Sequence, residues 1–391
     1  MSQIYFDHAA TTQMVPAAIA ALTQSATHLG NASSLHSAGR KARKELEQAR
    51  EELAKIADCA PSEIIFTASG TEANNLAIKG FYWRGKKTGK NVIITSSFEH
   101  HAVIDPIHWL QDHEGAVVIE IPVSETGFIN ESKYQEALTE YAGKIALISI
   151  MHSNNEIGTI QAIQRLAQSA GEIPFHTDSV QSFLKTKFSF KDLAVTSATI
   201  SAHKVGGPLG VAALILKRGV DLEPILHGGG QERDLRSGTF NAPGIIAFAA
   251  AAKFYQENFA KRTTRVRQLK QLLITKVLEQ IPDAHLNGDK SNSEDLSLPG
   301  IANITFPGTE SDGMLLLLDA EGIACSTGSA CSAGVQQPSH VLMAIGLSES
   351  AARSSLRFSL SDTNTESEIE KLASVISNLV ARSRATLVKA N

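Results

Sequence analysis

Cysteine is scarce in this 391-residue sequence. Only Cys59, Cys325 and Cys331 occur, an odd number too sparse for a disulfide framework in a chain of this length, so reduced thiols are expected. No stretch approaches the roughly 18 apolar residues of a membrane span. The opening residues, Met1-Ser2-Gln3-Ile4-Tyr5-Phe6-Asp7-His8, lack a cationic start followed by an apolar core. A cytoplasmic protein without membrane contact is the expectation. Neither sign of charge dominates, since 36 Lys plus Arg face 40 Asp plus Glu for a formal net charge of -4. No long basic run is available to neutralise a phosphate backbone, which argues against nucleic acid as a direct partner. Internal repeats, low-complexity tracts and Pro-rich linkers are also missing, so the units of the chain should share a broad interface with a cleft between them.

What is present suits a large α/β protein. With 43% hydrophobic residues, the chain can bury a sizeable core in more than one packing unit. Short apolar, β-branched segments recur from about Glu63 to Lys217, among them Val92-Ile93-Ile94-Thr95, Ala146-Leu147-Ile148-Ser149-Ile150 and Val211-Ala212-Ala213-Leu214-Ile215-Leu216. Helical stretches separate them, a rhythm that predicts βαβ units and a largely parallel sheet. One such helix places Ala42, Leu46, Ala49, Leu53 and Ile56 on one face, with Arg43, Glu47, Arg50 and Glu51 elsewhere. A long helical region over about Pro243 to Leu278 precedes a Gly/Asn/Ser/Asp-rich passage from Asn287 to Pro299, read as a loop near the start of a second unit.

Chemistry-bearing residues gather at the ends of the expected strands. Thr67-Ala68-Ser69-Gly70-Thr71-Glu72 follows a strand and opens a helix, where free amides, a close backbone approach at Gly70 and the Thr71 hydroxyl suit an anion; an ordinary capped helix is the alternative. Ser201-Ala202-His203-Lys204-Val205-Gly206-Gly207 places a lysine at a strand exit, where burial could free its amine for Schiff-base chemistry. Asp178, in His176-Thr177-Asp178-Ser179-Val180-Gln181, could hold a proton on a cofactor ring nitrogen or cap a helix. Asn154 and Asn155 could donate to a phenolic oxygen or close a turn. His100 could stack on an aromatic cofactor or move protons. The adjacent His101 raises a metal reading, but neighbouring residues point apart and no third ligand is suitably spaced, so no metal is expected. The run Cys325-Ser326-Thr327-Gly328-Ser329-Ala330-Cys331-Ser332-Ala333-Gly334 is too small-sided to pack a core and reads as an exposed loop with a reactive thiol at Cys331. A redox pair with Cys325 stays open.

Taken together and in this order, these segments resemble the cysteine desulfurases, pyridoxal-phosphate enzymes related to the class V aminotransferases. The resemblance runs from Tyr5-Phe6-Asp7-His8-Ala9-Ala10-Thr11-Thr12 to Ser354-Ser355-Leu356-Arg357-Phe358-Ser359-Leu360. Its most specific elements are Ser201 to Lys204, His227-Gly228-Gly229-Gly230-Gln231-Glu232 with Arg236-Ser237-Gly238-Thr239, and Gly328-Ser329-Ala330-Cys331.

The resemblance implies fold type I of the pyridoxal-phosphate transferases. A large cofactor-binding domain would span residues 13–258, and a smaller α+β domain would combine residues 1–12 and 259–391. It implies that Lys204 carries pyridoxal 5'-phosphate, that Asp178 pairs with the pyridine nitrogen, that Asn155 and Gln181 meet the phenolic oxygen side, and that His100 stacks on the ring. Gly70, Thr71, Ser201 and His203 would hold the phosphate, and Thr239 would reach the phosphate of the other subunit in a homodimer. Asn31 and Arg357 would grip the carboxylate of L-cysteine. Cys331 would take the sulfur as a persulfide, releasing L-alanine, and pass it to an acceptor such as an iron-sulfur scaffold or a tRNA-thiolation protein.

Three departures bear on this. Cys325 stands where many relatives have an aliphatic residue, leaving open a regulatory disulfide or a second sulfur carrier. Ala32 follows Asn31 where proline is common. The chain stops soon after its last expected helix, whereas some relatives extend further to dock a scaffold, which leaves the acceptor undefined. Selenocysteine lyase, or another reaction of the class V aminotransferase kind, is the rival chemistry; a thiol at Cys331 has no use in transamination. A non-catalytic carrier would lack the lysine or its pocket, and neither is missing from the sequence.

Overall fold

The computed structural model describes residues 3–328 and 337–390. Among these the strands, in chain order, are β1 (Ile4–Tyr5), β2 (Ile64–Thr67), β3 (Val92–Ser96), β4 (Val117–Ile121), β5 (Ile145–Ser149), β6 (Phe175–Asp178), β7 (Ser197–Ser201), β8 (Ala212–Leu216), β9 (His285–Asn287), β10 (Ile301–Thr305), β11 (Ile323–Ala324) and β12 (Ser355–Ser359). Seven of them make one sheet in the order β2-β8-β7-β6-β5-β3-β4. The neighbours from β7 through β4 are parallel, and β8 alone runs against β2 and β7. Every residue of β3, β5, β7 and β8 is buried, as strands covered on both faces must be.

Alternation along these strands feeds two apolar layers. Ala213 and Ile215 of β8 join a core with Leu46, Leu53 and Phe248. Leu214 and Leu216 join the core beneath the helix Gly70–Lys86, with Leu76, Phe81 and Tyr82. The helix Ser37–Ala57 buries Leu46, Ala49 and Leu53, with Ala42 and Ile56 packed at the edge of the same core. Arg50, expected on its polar side, is buried instead. Its guanidinium donates to both oxygens of the buried Glu232 at 2.9 and 3.0 Å, which anchors the Gly228-Gly229-Gly230 segment to this helix.

The long helical region proves to be two helices, Ala242–Glu257 and Phe259–Gln280, parted at Asn258. The first packs on the large sheet; the second serves a different core. That core gathers Leu269 and Leu273 from the second helix, Ile304 from β10, Phe358 from β12, Leu372 from the helix Glu366–Ala390, and Phe6 from the start of the chain. Its sheet is the antiparallel β12-β10-β9, beside a parallel pair of β1 with β11. After β1 the chain crosses to the large sheet, carrying Ala9 and Ala10 into a cleft at the carboxyl ends of its strands. No helix among the described residues is long and apolar enough to cross a membrane.

Candidate active site

The carboxyl ends of parallel strands are where an open α/β sheet leaves room for a ligand. Here they surround a cleft of about 410 Å³, within the range of small-molecule sites. The ends of β2, β3 and β5 contribute Gly70, Thr71, His100 and Asn155, and those of β6 and β7 contribute Asp178, Gln181, Ser201, His203 and Lys204. Arg357 enters from β12. Ten of the residues singled out in the sequence therefore meet in one place.

Lys204 closes the short 3-10 turn that follows β7. Its Nζ donates to the carbonyls of Ala9 at 2.5 Å and Ala10 at 2.7 Å. Burial, aided by the nearby Arg357 guanidinium and opposed by Asp178 and Asp7, pulls its pKa down to about 8. A neutral amine is thus accessible close to physiological pH, the condition for nucleophilic lysine chemistry.

Asp178 caps no helix. One carboxylate oxygen accepts from Val180 N at 2.9 Å in a local turn, and the other accepts from Asn74 Nδ2 at 2.7 Å. The Asn74 side-chain oxygen bonds His176 Nε2 at 3.0 Å, and His176 Nδ1 bonds Ser197 Oγ at 2.8 Å. Burial holds His176 neutral, with its pKa lowered to about 3, so Nε2 donates to Asn74 and Nδ1 accepts from Ser197. Two buried residues that carry no charge thereby orient one carboxylate. Asn74→Ala is expected to weaken cofactor retention about tenfold, the weight of one charge-assisted hydrogen bond, in a titration of the apoprotein. Parental retention would dismiss the Ser197–His176–Asn74 relay as a support for Asp178.

The Gly70 turn opens a capped helix at the cleft. Ser69 caps the helix by accepting from Glu72 N at 3.1 Å, and Glu72 accepts from Ala68 N at 2.7 Å while pairing with Arg236 at 2.7 Å. A Cβ at Gly70 would lie 3.1 Å from Val180 Cγ2, so a side chain there would crowd the Asp178 turn. His100 accepts from Ala102 N at 3.0 Å, and burial lowers its pKa. His101 also lines the cleft and bonds Asp105 at 3.0 Å.

Five of the residues singled out in the sequence are otherwise engaged, lie away from the cleft or fall outside the described residues. The Gln181 amide is engaged at both ends, donating to Ala9 O at 2.8 Å and accepting from Lys185 Nζ at 3.0 Å, because the chain start and the neighbouring turn close over it. Asn31 and Thr239 are exposed and do not line the cleft; the Asn31 side chain accepts from Ser33 N at 2.9 Å. Cys331 lies outside the described residues, although Gly328, three positions earlier, lines the cleft. Cys325 is no exposed loop thiol: it packs against the second core, and burial pushes its pKa far up, which disfavours the thiolate a second sulfur carrier would need. Burial likewise lifts Cys59 to about 12.

Several participants escaped the sequence reading. Asp7 pairs with Arg357 at 2.7 Å, while Arg357 also donates to Asn155 O at 2.9 Å. Asn74, Glu156 and His340 line the same cleft. The signal for Asp7 was its place within Tyr5 to Thr12, the first segment of the resemblance.

The cleft fits pyridoxal 5'-phosphate. Beside a low-pKa lysine and an oriented carboxylate, three buried polar atoms of cleft residues have no partner among the described residues: Ser153 Oγ, Asn155 Oδ1 and Arg357 Nε. Buried polar groups left open around one cavity call for a polar ligand.

Comparison with known proteins agrees. The family model described as Aminotransferase class-V matches residues 4–372. The chain is 44% identical over 384 residues to an IscS-like cysteine desulfurase from Mycobacterium tuberculosis, covering 97% of each chain. A solved structure described as a NifS-like protein superposes with a TM-score of 0.88 at 32% identity, covering 97% of this chain and 100% of that one. One described as SspA in complex with cysteine superposes with a TM-score of 0.79 at 34% identity, covering 93% and 100%. The mostly parallel sheet with its cleft is accordingly that of the type I pyridoxal-phosphate fold, and the chain belongs to the aminotransferase class-V family, among its pyridoxal-phosphate-dependent cysteine desulfurases.

Proposed function

We propose that the chain converts L-cysteine to L-alanine and receives the sulfur on Cys331 as a persulfide. The observation that carries this reading is the meeting, in one cleft, of the low-pKa Lys204, the oriented Asp178 and the Arg357 guanidinium. When bound, the cofactor supplies an electron sink for the charge left on the substrate α-carbon. Lys204 would hold it, Asp178 would face its ring nitrogen, and His100 its ring. Gly70, Thr71, Ser201 and His203 would bind its phosphate. Asn155 and Gln181 would meet its phenolic side, Gln181 through the second N–H of its amide.

Lys204 then takes the substrate α-proton, for which a neutral amine near pH 8 is suited. Arg357 holds the substrate carboxylate, with Asn31 as its expected partner. The Cys331 thiolate attacks the substrate sulfur, so one S–S bond forms as one C–S bond breaks. Cysteine plus thiol gives alanine plus persulfide, a sum that balances without an outside oxidant. The exposed Thr239 suits a contact with the phosphate of a second copy, hence a homodimer. The separate apolar cores support a large domain of residues 13–258 and a smaller one of residues 1–12 and 259–391. A cytoplasmic protein that delivers sulfur to an iron-sulfur scaffold or a tRNA-thiolation protein completes the reading.

The test is stoichiometry. Purified holoprotein given L-cysteine and dithiothreitol should release alanine and sulfide in equal amounts; pyruvate in place of alanine, or no consumption of cysteine, would refute the assignment.

A further inference from the structure

Glu156 is a buried acid that the reaction described above does not use. It follows Asn155 beyond β5 and is 2% exposed. Its backbone is fixed, because Glu156 N and Ile157 N both donate to Asn154 Oδ1, at 2.8 and 3.0 Å. Its carboxylate meets two segments distant in sequence. Ser339 Oγ donates to Glu156 Oε2 at 2.6 Å, and Ser339 also caps the helix His340–Ala344 by accepting from Leu342 N at 3.2 Å. From the other side Gly328, at φ +88°, lies so close that a Cβ there would stand 2.9 Å from Oε2 and 3.1 Å from Cγ and Cδ. Gly328 is itself tied through its N–H to Ser326 Oγ at 3.0 Å, and Ser326 is bonded to the backbone of Arg357.

Gly328 and Ser339 flank residues 329–336, which include Cys331. Three residues of chain reach at most about 10–11 Å, so whatever pins Gly328 bounds where the Cys331 thiol can go. Burial pushes Glu156 up to about 6, while the hydrogen bond from Ser339 and the charges of Arg357 and His101 hold it down. Near neutral pH the carboxylate is therefore the prevailing form, the stronger acceptor for the Ser339 hydroxyl.

We propose that Glu156 is a positioning residue for the Cys331 thiol: its carboxylate accepts from Ser339 while its side chain packs against Gly328, and so it fixes against the cleft the described residues on either side of the Cys331 segment. This rests on the reading of Cys331 as the sulfur acceptor. An anchor of this kind acts on the sulfur-transfer step and leaves cysteine binding to Arg357.

In the holoenzyme, Glu156→Ala should lower kcat for alanine formation about 10²-fold, the cost of about an ångström of misplacement. KM for cysteine should stay within about twofold, because ground-state binding is untouched. Persulfide on Cys331, followed by mass spectrometry in a single turnover, should slow by the same factor as kcat. Glu156→Gln keeps an acceptor for Ser339 and should recover most of the rate. Apart from turnover, amide exchange over Ser339 to Leu342 should quicken in Glu156→Ala and remain parental in Glu156→Gln. A parental kcat in Glu156→Ala, a loss expressed in KM, or no recovery in Glu156→Gln would overturn the proposal. If Glu156→Ala does not fold, Ser339→Ala must show a kcat loss at constant KM, and parental kcat there would overturn it as well. Cys331→Ser run alongside separates the two ideas. Full turnover in that variant defeats the reading of Cys331 and the proposal with it, whereas lost turnover there beside parental kcat in Glu156→Ala defeats the proposal alone.

Discussion

Lys204→Ala will purify without the pyridoxal absorbance of the parent and will turn over L-cysteine at least about 10²–10⁴-fold more slowly, the range lost with a positioned general base. The loss follows from geometry as well as chemistry. Among the described residues no second amine lines the cleft, and the Lys204 ammonium is the group that gathers the Ala9 and Ala10 carbonyls there. The parent carries a matching pH signature. With the pKa at about 8, below that pH the amine is protonated and cannot attack an aldehyde. The rate at which apoprotein takes up pyridoxal phosphate should therefore rise about tenfold per pH unit on the acid side and level off above about pH 8. An unperturbed lysine would keep rising to beyond pH 10. Absorbance that persists in Lys204→Ala, or an uptake rate still climbing at pH 10, would take Lys204 out of its role.

Cys331→Ser should separate cofactor from sulfur. The variant is expected to keep the pyridoxal absorbance and the spectral response to L-cysteine, because no cofactor-binding residue is altered. Sulfide release with dithiothreitol should fall at least about 10³-fold, the scale on which loss of a covalent nucleophile is felt. Neither remaining thiol can substitute: burial raises the pKa of both Cys59 and Cys325, so their thiolates are scarce at neutral pH. Sulfide release at the parental rate would show that the sulfur never passes through Cys331.

Much of the site was legible before any coordinates, and the reason is local. Gly70, Thr71, Asp178, Ser201, His203 and Lys204 sit within a few residues of strand ends, and a strand end in a parallel sheet has one place to point. The strands could be read from their apolar, β-branched runs because both of their faces are buried. The periodic stripe on Ser37–Ala57 was equally plain, although its period said nothing of Glu232, 182 residues from Arg50, which draws that arginine inside. The break at Asn258 escaped because the two helices share a helical composition and differ in which core they serve.

Long-range partners decided the rest. Asp7 against Arg357, Ala9 against Lys204 and Gln181, and Asn74 between Asp178 and His176 are separated by 102 to 350 residues, so no local pattern pairs them. Local pattern is enough to specify strands, turns and the order of reactive groups, since those depend on backbone preference and side-chain period. Which charge is paired, which thiol is buried and how far an amine's pKa falls depend on desolvation and on neighbours that arrive only when distant segments pack. Cys325 shows the difference most directly: in sequence it shared a loop of small residues with Cys331, and in the fold it belongs to the second core.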